Sequence, residues 1–364
     1  MNIIKYLPLV FIIFGCTPTQ KIKVSTPLTE TTISAKDTLI NYTGRIDSSE
    51  NIRIFWPGTA MKFSFVGTNA SILLHDSKGE NIFNIVIDGQ DPISFQLDNI
   101  KHWYAITDSL ENKTHTIEIY KRTEWNHGST DIFQVKIKGK FTTPPPHKLR
   151  TIEFFGNSIT TGYANEDFSG EDKPDGRKTN NYSPYAAVTA RALDADMICT
   201  ARAGIGVMLS WFPLIMPEMY DRLDPEDSTS KWDFSKITPD VVVVNLFQND
   251  SWLVEKPDFE QFKARFGDKK PTDDEIVGAY QDFIEKIRME YPNTPIVCTL
   301  GNMDATQDGS IWPGYIQTAV KNMNDQKVHF LFFPYKESAG HPHPKDHQAM
   351  ADMLVAKIKE IKGW

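Results

Sequence analysis

The hydropathy pattern of the chain changes character twice. A single apolar run, Leu7-Pro8-Leu9-Val10-Phe11-Ile12-Ile13-Phe14, ends at Gly15-Cys16 and gives way to a Thr/Ser/Pro/Lys segment without periodicity. From about Thr38 to Thr143, apolar residues then fall largely two apart in short stretches: Met61–Thr68, Ala70–Asp76, Asn81–Gly89, Thr114–Tyr120 and Asp131–Gly139. Alternation of that period, broken by turn residues, predicts half-buried strands. Enough of them in sequence predict a β-sandwich of jelly-roll type over residues 38–143. After Pro144-Pro145-Pro146, which stiffens the connection, continuous apolar strands alternate with helical segments. Leu149–Phe155 and Asp240–Leu246 read as strands, Asp273–Tyr291 as a helix leading to a strand at Ile296, and Ser183-Pro184 as the N-cap and first position of a helix running toward Leu193. Such alternation predicts an α/β domain over 149–364, with a parallel sheet covered on both faces.

Composition changes this picture little but excludes some functions. The chain of 364 residues is long enough for two cores, and its net charge of −8 gives no support for nucleic-acid binding. An acidic, aromatic-rich protein suits a neutral sugar. Of three cysteines, Cys199 and Cys298 fall in apolar strand-like runs and read as buried free thiols, and with Cys16 set apart no disulfide framework is possible.

Candidate chemistry gathers at strand ends. In Phe154-Phe155-Gly156-Asn157-Ser158-Ile159-Thr160, a serine stands where an apolar strand stops. Three later segments accompany it: Ala201-Arg202-Ala203-Gly204-Ile205-Gly206, Asn245-Leu246-Phe247-Gln248-Asn249-Asp250, and Gly340-His341-Pro342. A serine needs a base to become a nucleophile, and attack on a carbonyl needs preorganised N–H donors for the oxyanion. Serine, glycine, asparagine and histidine supply those parts. Plainer readings exist for each. Ser158 could be a helix N-cap, Asn249-Asp250 a strand-end turn, and His341, His343 and His347 a metal cluster. Pro344 starts a helix between the last two histidines, which separates their faces, and no metal is assigned.

The four segments resemble the SGNH hydrolases, or GDSL family, over residues 149–364. That resemblance implies a flavodoxin-like domain in which Ser158 is the nucleophile and His341 the base. It also implies an oxyanion hole made by the Ser158 and Gly206 N–H groups and the Asn249 amide, with Gly204 as the alternative glycine. The family's Gly-Asp-Ser is Gly156-Asn157-Ser158 here, and its Gly-x-Asn-Asp is Phe247-Gln248-Asn249-Asp250. Its triad acid, two or three residues before the histidine, is replaced by Ser338 and Ala339. A Ser158–His341 dyad is therefore expected, its imidazole oriented by a backbone carbonyl or by Glu337.

Gly44-Arg45-Ile46, Phe55-Trp56-Pro57-Gly58-Thr59 and Phe65-Val66-Gly67-Thr68, followed by that second domain, resemble carbohydrate esterase family two. The resemblance implies removal of acetyl groups from plant polysaccharides or oligosaccharides through an acetyl-serine, with no cofactor. Trp211, Trp252 and Trp312 are candidates for stacking on sugar rings, at least two of them being expected in the core. A generic acyl esterase and a catalytically dead carbohydrate-binding lipoprotein are the alternatives. Phe14-Gly15-Cys16 resembles a bacterial lipobox, implying a signal peptide over 1–16, lipidation at Cys16, a flexible tether over 17–37, and an exported envelope lipoprotein held to the membrane only by its anchor.

Overall fold

The computed structural model describes residues 28–364. The signal segment, Cys16 and most of the expected tether lie outside the described residues. Among the described residues, no helix is long and apolar enough to cross a membrane.

The first domain is an antiparallel jelly roll of ten strands: β1 (Glu30–Ser34), β2 (Ile40–Thr43), β3 (Ile46–Asp47), β4 (Ile52–Ile54), β5 (Ala60–Asp76), β6 (Ile82–Ile87), β7 (Ile93–Gln96), β8 (His102–Thr107), β9 (Lys113–Lys121) and β10 (Thr130–Thr142). The fold begins earlier than the alternating pattern announces. β1 pairs antiparallel with β10, Glu30 opposite Lys138, so the last part of the expected tether is an edge strand. The two strands expected over 61–76 are one, because Gly67 makes a bulge rather than a turn. Register with β10 shifts there, and a Cβ on Gly67 would lie 2.2 Å from the Lys138 carbonyl oxygen. One edge neighbour of β5 changes across the bulge from β9 to β8, which lets a single strand serve both layers.

The second domain is a five-stranded parallel sheet in the order β12-β11-β13-β14-β15, formed by β11 (Arg150–Gly156), β12 (Ala195–Ala201), β13 (Val241–Asn245), β14 (Ile296–Leu300) and β15 (Val328–Phe332). The central strand β13 is buried at every position, as a strand covered on both faces must be. The helix Asp273–Glu290 opens with a capping box, in which Thr272 and Glu275 bond each other's backbone N–H. It buries Ile276, Val277, Tyr280, Phe283, Ile284 and Ile287, a stripe of period 3.6. The order 2-1-3-4-5 is flavodoxin-like, with its switch between β11 and β13. The helix expected from Ser183 starts instead at Tyr185, with Pro184 at the cap position. Serine is displaced as cap because the Tyr185 N–H donates to His347 Nδ1 at 3.2 Å.

The domains are joined through their interiors. Arg45, fully buried between β2 and β3, sends Nη2 to Glu153 Oε1 on β11 at 2.8 Å and Nη1 to the carbonyls of Tyr220 and Arg222 at 2.6 and 2.9 Å. Glu153 is fully buried as well, and its second oxygen accepts from Tyr291 Oη at 2.6 Å. The Trp56 indole donates to Leu223 O at 2.9 Å, and the linker is fastened by Asn41 Nδ2 on Pro145 O at 2.7 Å.

Removing one half of a buried ion pair strands the other charge in a low-dielectric interior. Arg45→Met should therefore cost about 3–5 kcal/mol in urea unfolding. The double variant Arg45→Met, Glu153→Leu should recover part of that loss, and a loss below about 1 kcal/mol for the single variant contradicts the role given to the pair.

Candidate active site

Ser158 follows β11 directly. Asn157 Oδ1 accepts the Ile159 N–H at 3.0 Å and caps the short helical turn Ser158–Thr161. Asn157 thus performs the capping that Ser158 would otherwise supply, and the serine faces a cleft of about 390 Å³ at the carboxyl edge of the sheet. His341, Asn249, Gly204, Trp211 and Trp252 line the same cleft, so segments following four different strands meet there. Ser158 Oγ makes no hydrogen bond to His341 among the described residues. Such bonds often close only in the substrate complex.

The histidine carries a carboxylate that sequence spacing did not find. His341 Nδ1 lies 2.7 Å from Asp172 Oδ2, and the His341 backbone N–H donates to Asp172 Oδ1 at 2.8 Å. Glu337, expected as the orienting acid, is exposed and takes no part. Nor does a backbone carbonyl hold the ring. Asp172 sits in the left-handed region at φ +52°, which short polar residues tolerate, at the end of a loop tied by Asp167. Asp167 accepts from the Ser169 N–H and hydroxyl at 3.2 and 2.7 Å and from the Lys173 N–H at 2.9 Å. Gly340 makes the contact possible: a Cβ there would stand 2.6 Å from Asp172 Oδ1. Burial raises the Asp172 carboxyl, but its bonds to the His341 ring and N–H outweigh that and hold it below the usual carboxylate range. The Tyr163 ring meets the imidazole edge-on at 5.0 Å, limiting its rotation.

The oxyanion donors also need one correction. The Gly206 N–H donates to Ser210 Oγ at 3.0 Å, and Gly206 does not line the cleft. Gly204, the alternative, does line it, and neither its N–H nor that of Ser158 meets an acceptor among the described residues. The Asn249 amide is oriented from both sides. The Trp211 indole, which can only donate, reaches Oδ1 at 3.1 Å, while Nδ2 donates to Ile205 O at 2.8 Å and keeps a second N–H. Asp250 is structural: its carboxylate collects the N–H groups of Val207, Met208 and Leu209 at 2.7–3.0 Å and fixes the loop that carries Gly204.

The jelly roll reaches this cleft through Glu124, Asn126 and His127, just beyond β9. Buried Glu124 accepts from Thr161 Oγ1 and from the Ala203 N–H, both at 2.8 Å, linking the serine turn to the glycine loop. Burial pushes its carboxyl up. Lys121 supports the same turn by donating to Thr123 O and Glu124 O at 2.9 and 3.0 Å. Sequence reasoning missed Glu124, which lies on the other domain from every recognisable block. Of the three tryptophans only Trp312 is core, packed on Phe247; Trp211 is 43 % exposed and Trp252 partly buried, so two rather than one remain at the cleft. The histidines do not gather as a metal site. His347 is buried with its pKa pushed down to about 3 by desolvation, and no group of metal-ligating side chains occurs among the described residues. Cys199 and Cys298 are free and buried.

If Asp172 fixes the His341 tautomer, Asp172→Asn keeps the shape but presents the wrong hydrogen-bonding group. Ester hydrolysis by that variant should fall by about 10² to 10⁴ in kcat, whereas Glu337→Gln should stay within about twofold, since the exposed side chain makes no bond to the ring. The reverse ranking in steady-state kinetics would return Glu337 to the site.

Comparisons with known proteins agree with this architecture. A family model described as carbohydrate esterase 2 N-terminal matches residues 42–146. The chain is 34% identical over 341 residues to the cellulase/esterase CelE of Acetivibrio thermocellus, a match covering 89% of this chain but 40% of that protein's length. It is 25% identical to an acetylxylan esterase / glucomannan deacetylase of Cellvibrio japonicus, covering 97% of this chain and 96% of that one. Among solved structures, a family two carbohydrate esterase from Clostridium thermocellum in complex with cellohexaose has a TM-score of 0.80 at 33% identity, covering 89% of this chain and 99% of that chain. With the jelly roll, the parallel sheet and the Ser158–His341 cleft in place, the chain belongs to the family two carbohydrate esterases, which are carboxylic ester hydrolases.

Proposed function

We propose that the protein removes acetyl groups from acetylated plant polysaccharides or oligosaccharides through an acetyl-serine intermediate. The observation that carries the reading is the Asp172 carboxylate on His341 Nδ1 at 2.7 Å, in a cleft shared with Ser158. A proton held on Nδ1 by the carboxylate leaves the Nε2 lone pair as the base. Ser158 Oγ attacks the acetyl carbonyl as its proton passes to Nε2. The Ser158 and Gly204 N–H groups and the free Asn249 amide N–H receive the oxyanion. The imidazolium protonates the departing sugar oxygen, and the restored base then takes a proton from water as it attacks the acetyl-enzyme, releasing acetate. The expected dyad thus becomes a triad whose acid comes from the loop after the nucleophile. An inactive, purely binding protein loses its ground, which was the missing acid. The cleft volume of about 390 Å³ and the partly exposed Trp211 suit a sugar ring beside a small acyl group.

The direct assay is acetate release from acetylated xylan, acetylated glucomannan and an aryl acetate. Faster release from a polysaccharide than from the aryl ester is expected, and release from the aryl ester alone would reduce the assignment to a generic esterase. Ser158→Ala and His341→Ala should each fall close to background and be scarcely worse together, because the two act as a unit. Asn249→Ala should lose about 10² to 10³ in kcat.

The envelope location belongs to this proposal. Cys16 after the apolar run carries the lipid anchor, so expression of the full chain with a labelled fatty acid in a bacterial host should label the wild type and not Cys16→Ala. An unlabelled wild type would refute the anchor.

A further inference from the structure

We infer that the cleft contains a subsite for a carboxylate-bearing sugar, centred on Arg202, so that the preferred substrate carries a uronic acid close to its acetylated residue. This rests on the deacetylase reading and adds the charge of the substrate to it.

Arg202 is the first residue beyond β12 and its backbone N–H donates to Gly156 O at 3.2 Å, which fixes it at the cleft beside the serine turn. Its guanidinium lies between two rings, 3.4 Å from the Phe212 centroid and 4.4 Å from that of Trp125 on the jelly roll. Stacking of this kind uses the faces of the guanidinium and leaves its five N–H donors pointing outward in the plane. None of them meets an acceptor among the described residues. They are not sealed off, for unlike Arg45 Nε and Arg288 Nη2 no nitrogen of Arg202 is both buried and unpartnered. A planar fork with open donors matches a carboxylate, which it can bind through two parallel hydrogen bonds.

Glu124 and Glu226 act on this cation through space, but neither bonds it among the described residues: Glu124 accepts from Thr161 and Ala203, and Glu226 lies 3.9 Å from Lys78. A second cation stands nearby: exposed Lys256 places Nζ 4.8 Å from the Trp211 ring, with no ion pair among the described residues. In a chain of net charge −8, two cations without ion-pair partners flanking the cleft create a local site for an anion that the protein as a whole repels. The acetyl ester is neutral, so the reacting group itself leaves this charge unused.

The test compares kcat/KM for acetate release from an acetylated xylotriose and from an acetylated xylo-oligosaccharide carrying one glucuronic acid. Wild type should favour the acidic substrate by about tenfold or more, a preference that shrinks with added salt. Arg202→Gln should lose far more on the acidic than on the neutral substrate, bringing the ratio near one, and Arg202→Lys should keep part of the preference. Calorimetry with the non-acetylated glucurono-xylotriose should show binding to Ser158→Ala and at least tenfold weaker binding to Ser158→Ala, Arg202→Gln. No acidic preference in wild type, or equal loss on both substrates in Arg202→Gln, would overturn the subsite and leave Arg202 as a stacking clamp between the domains. Absence of acetate from both substrates and from acetylated glucomannan would overturn the deacetylase reading, and this inference with it.

Discussion

The buried Arg45–Glu153 pair is the constraint on which the rest of the molecule depends. Each charge is withdrawn from water, and each is held by further bonds: two carbonyls on the guanidinium, the Tyr291 hydroxyl on the carboxylate. An arrangement so costly to break fixes the jelly roll against the strand that leads into Ser158, because Glu153 lies on β11 five residues before it. The jelly roll can therefore place Glu124, Asn126 and His127 at the cleft with side-chain accuracy. It shares the lining of that cleft with the second domain.

At the cleft itself, separate loops are held by carboxylates used in different ways. Asp250 gathers three backbone N–H groups and shapes the glycine loop. Glu124 spans the serine turn and the same loop, while Asp167 folds the segment that presents Asp172. Of these carboxylates only Asp172 bonds the histidine. Asp250 and Glu124 thus hold backbone and hydroxyl donors in place, leaving Asp172 to act on the imidazole.

Much of this was legible in the sequence, and the gaps have physical causes. Period-two and continuous apolar runs revealed the sandwich and the parallel sheet, and Ser158, Asn249 and His341 were visible because each follows a strand end. Strand β1 was not, since it lies at a sheet edge with exposed alternate positions and lacks an apolar face. Asp172 was hidden because its partner lies 169 residues away, a proximity set by the fold and not by local spacing. The choice between Gly204 and Gly206 depended on the path of a loop held by Ser210 and Asp250, and two glycines two residues apart cannot reveal it. Glu124 belongs to the other domain, where no block pattern points.

A serine activated by His341 and Asp172 should react with an electrophile that mimics the tetrahedral intermediate. Treatment of the full chain with a fluorophosphonate, followed by intact-mass and peptide mass spectrometry, measures that activation directly. One adduct per chain on Ser158, formed far more slowly when His341 is replaced by alanine, is the expected result. An unmodified Ser158 in folded protein, or an adduct on a different serine, would contradict it.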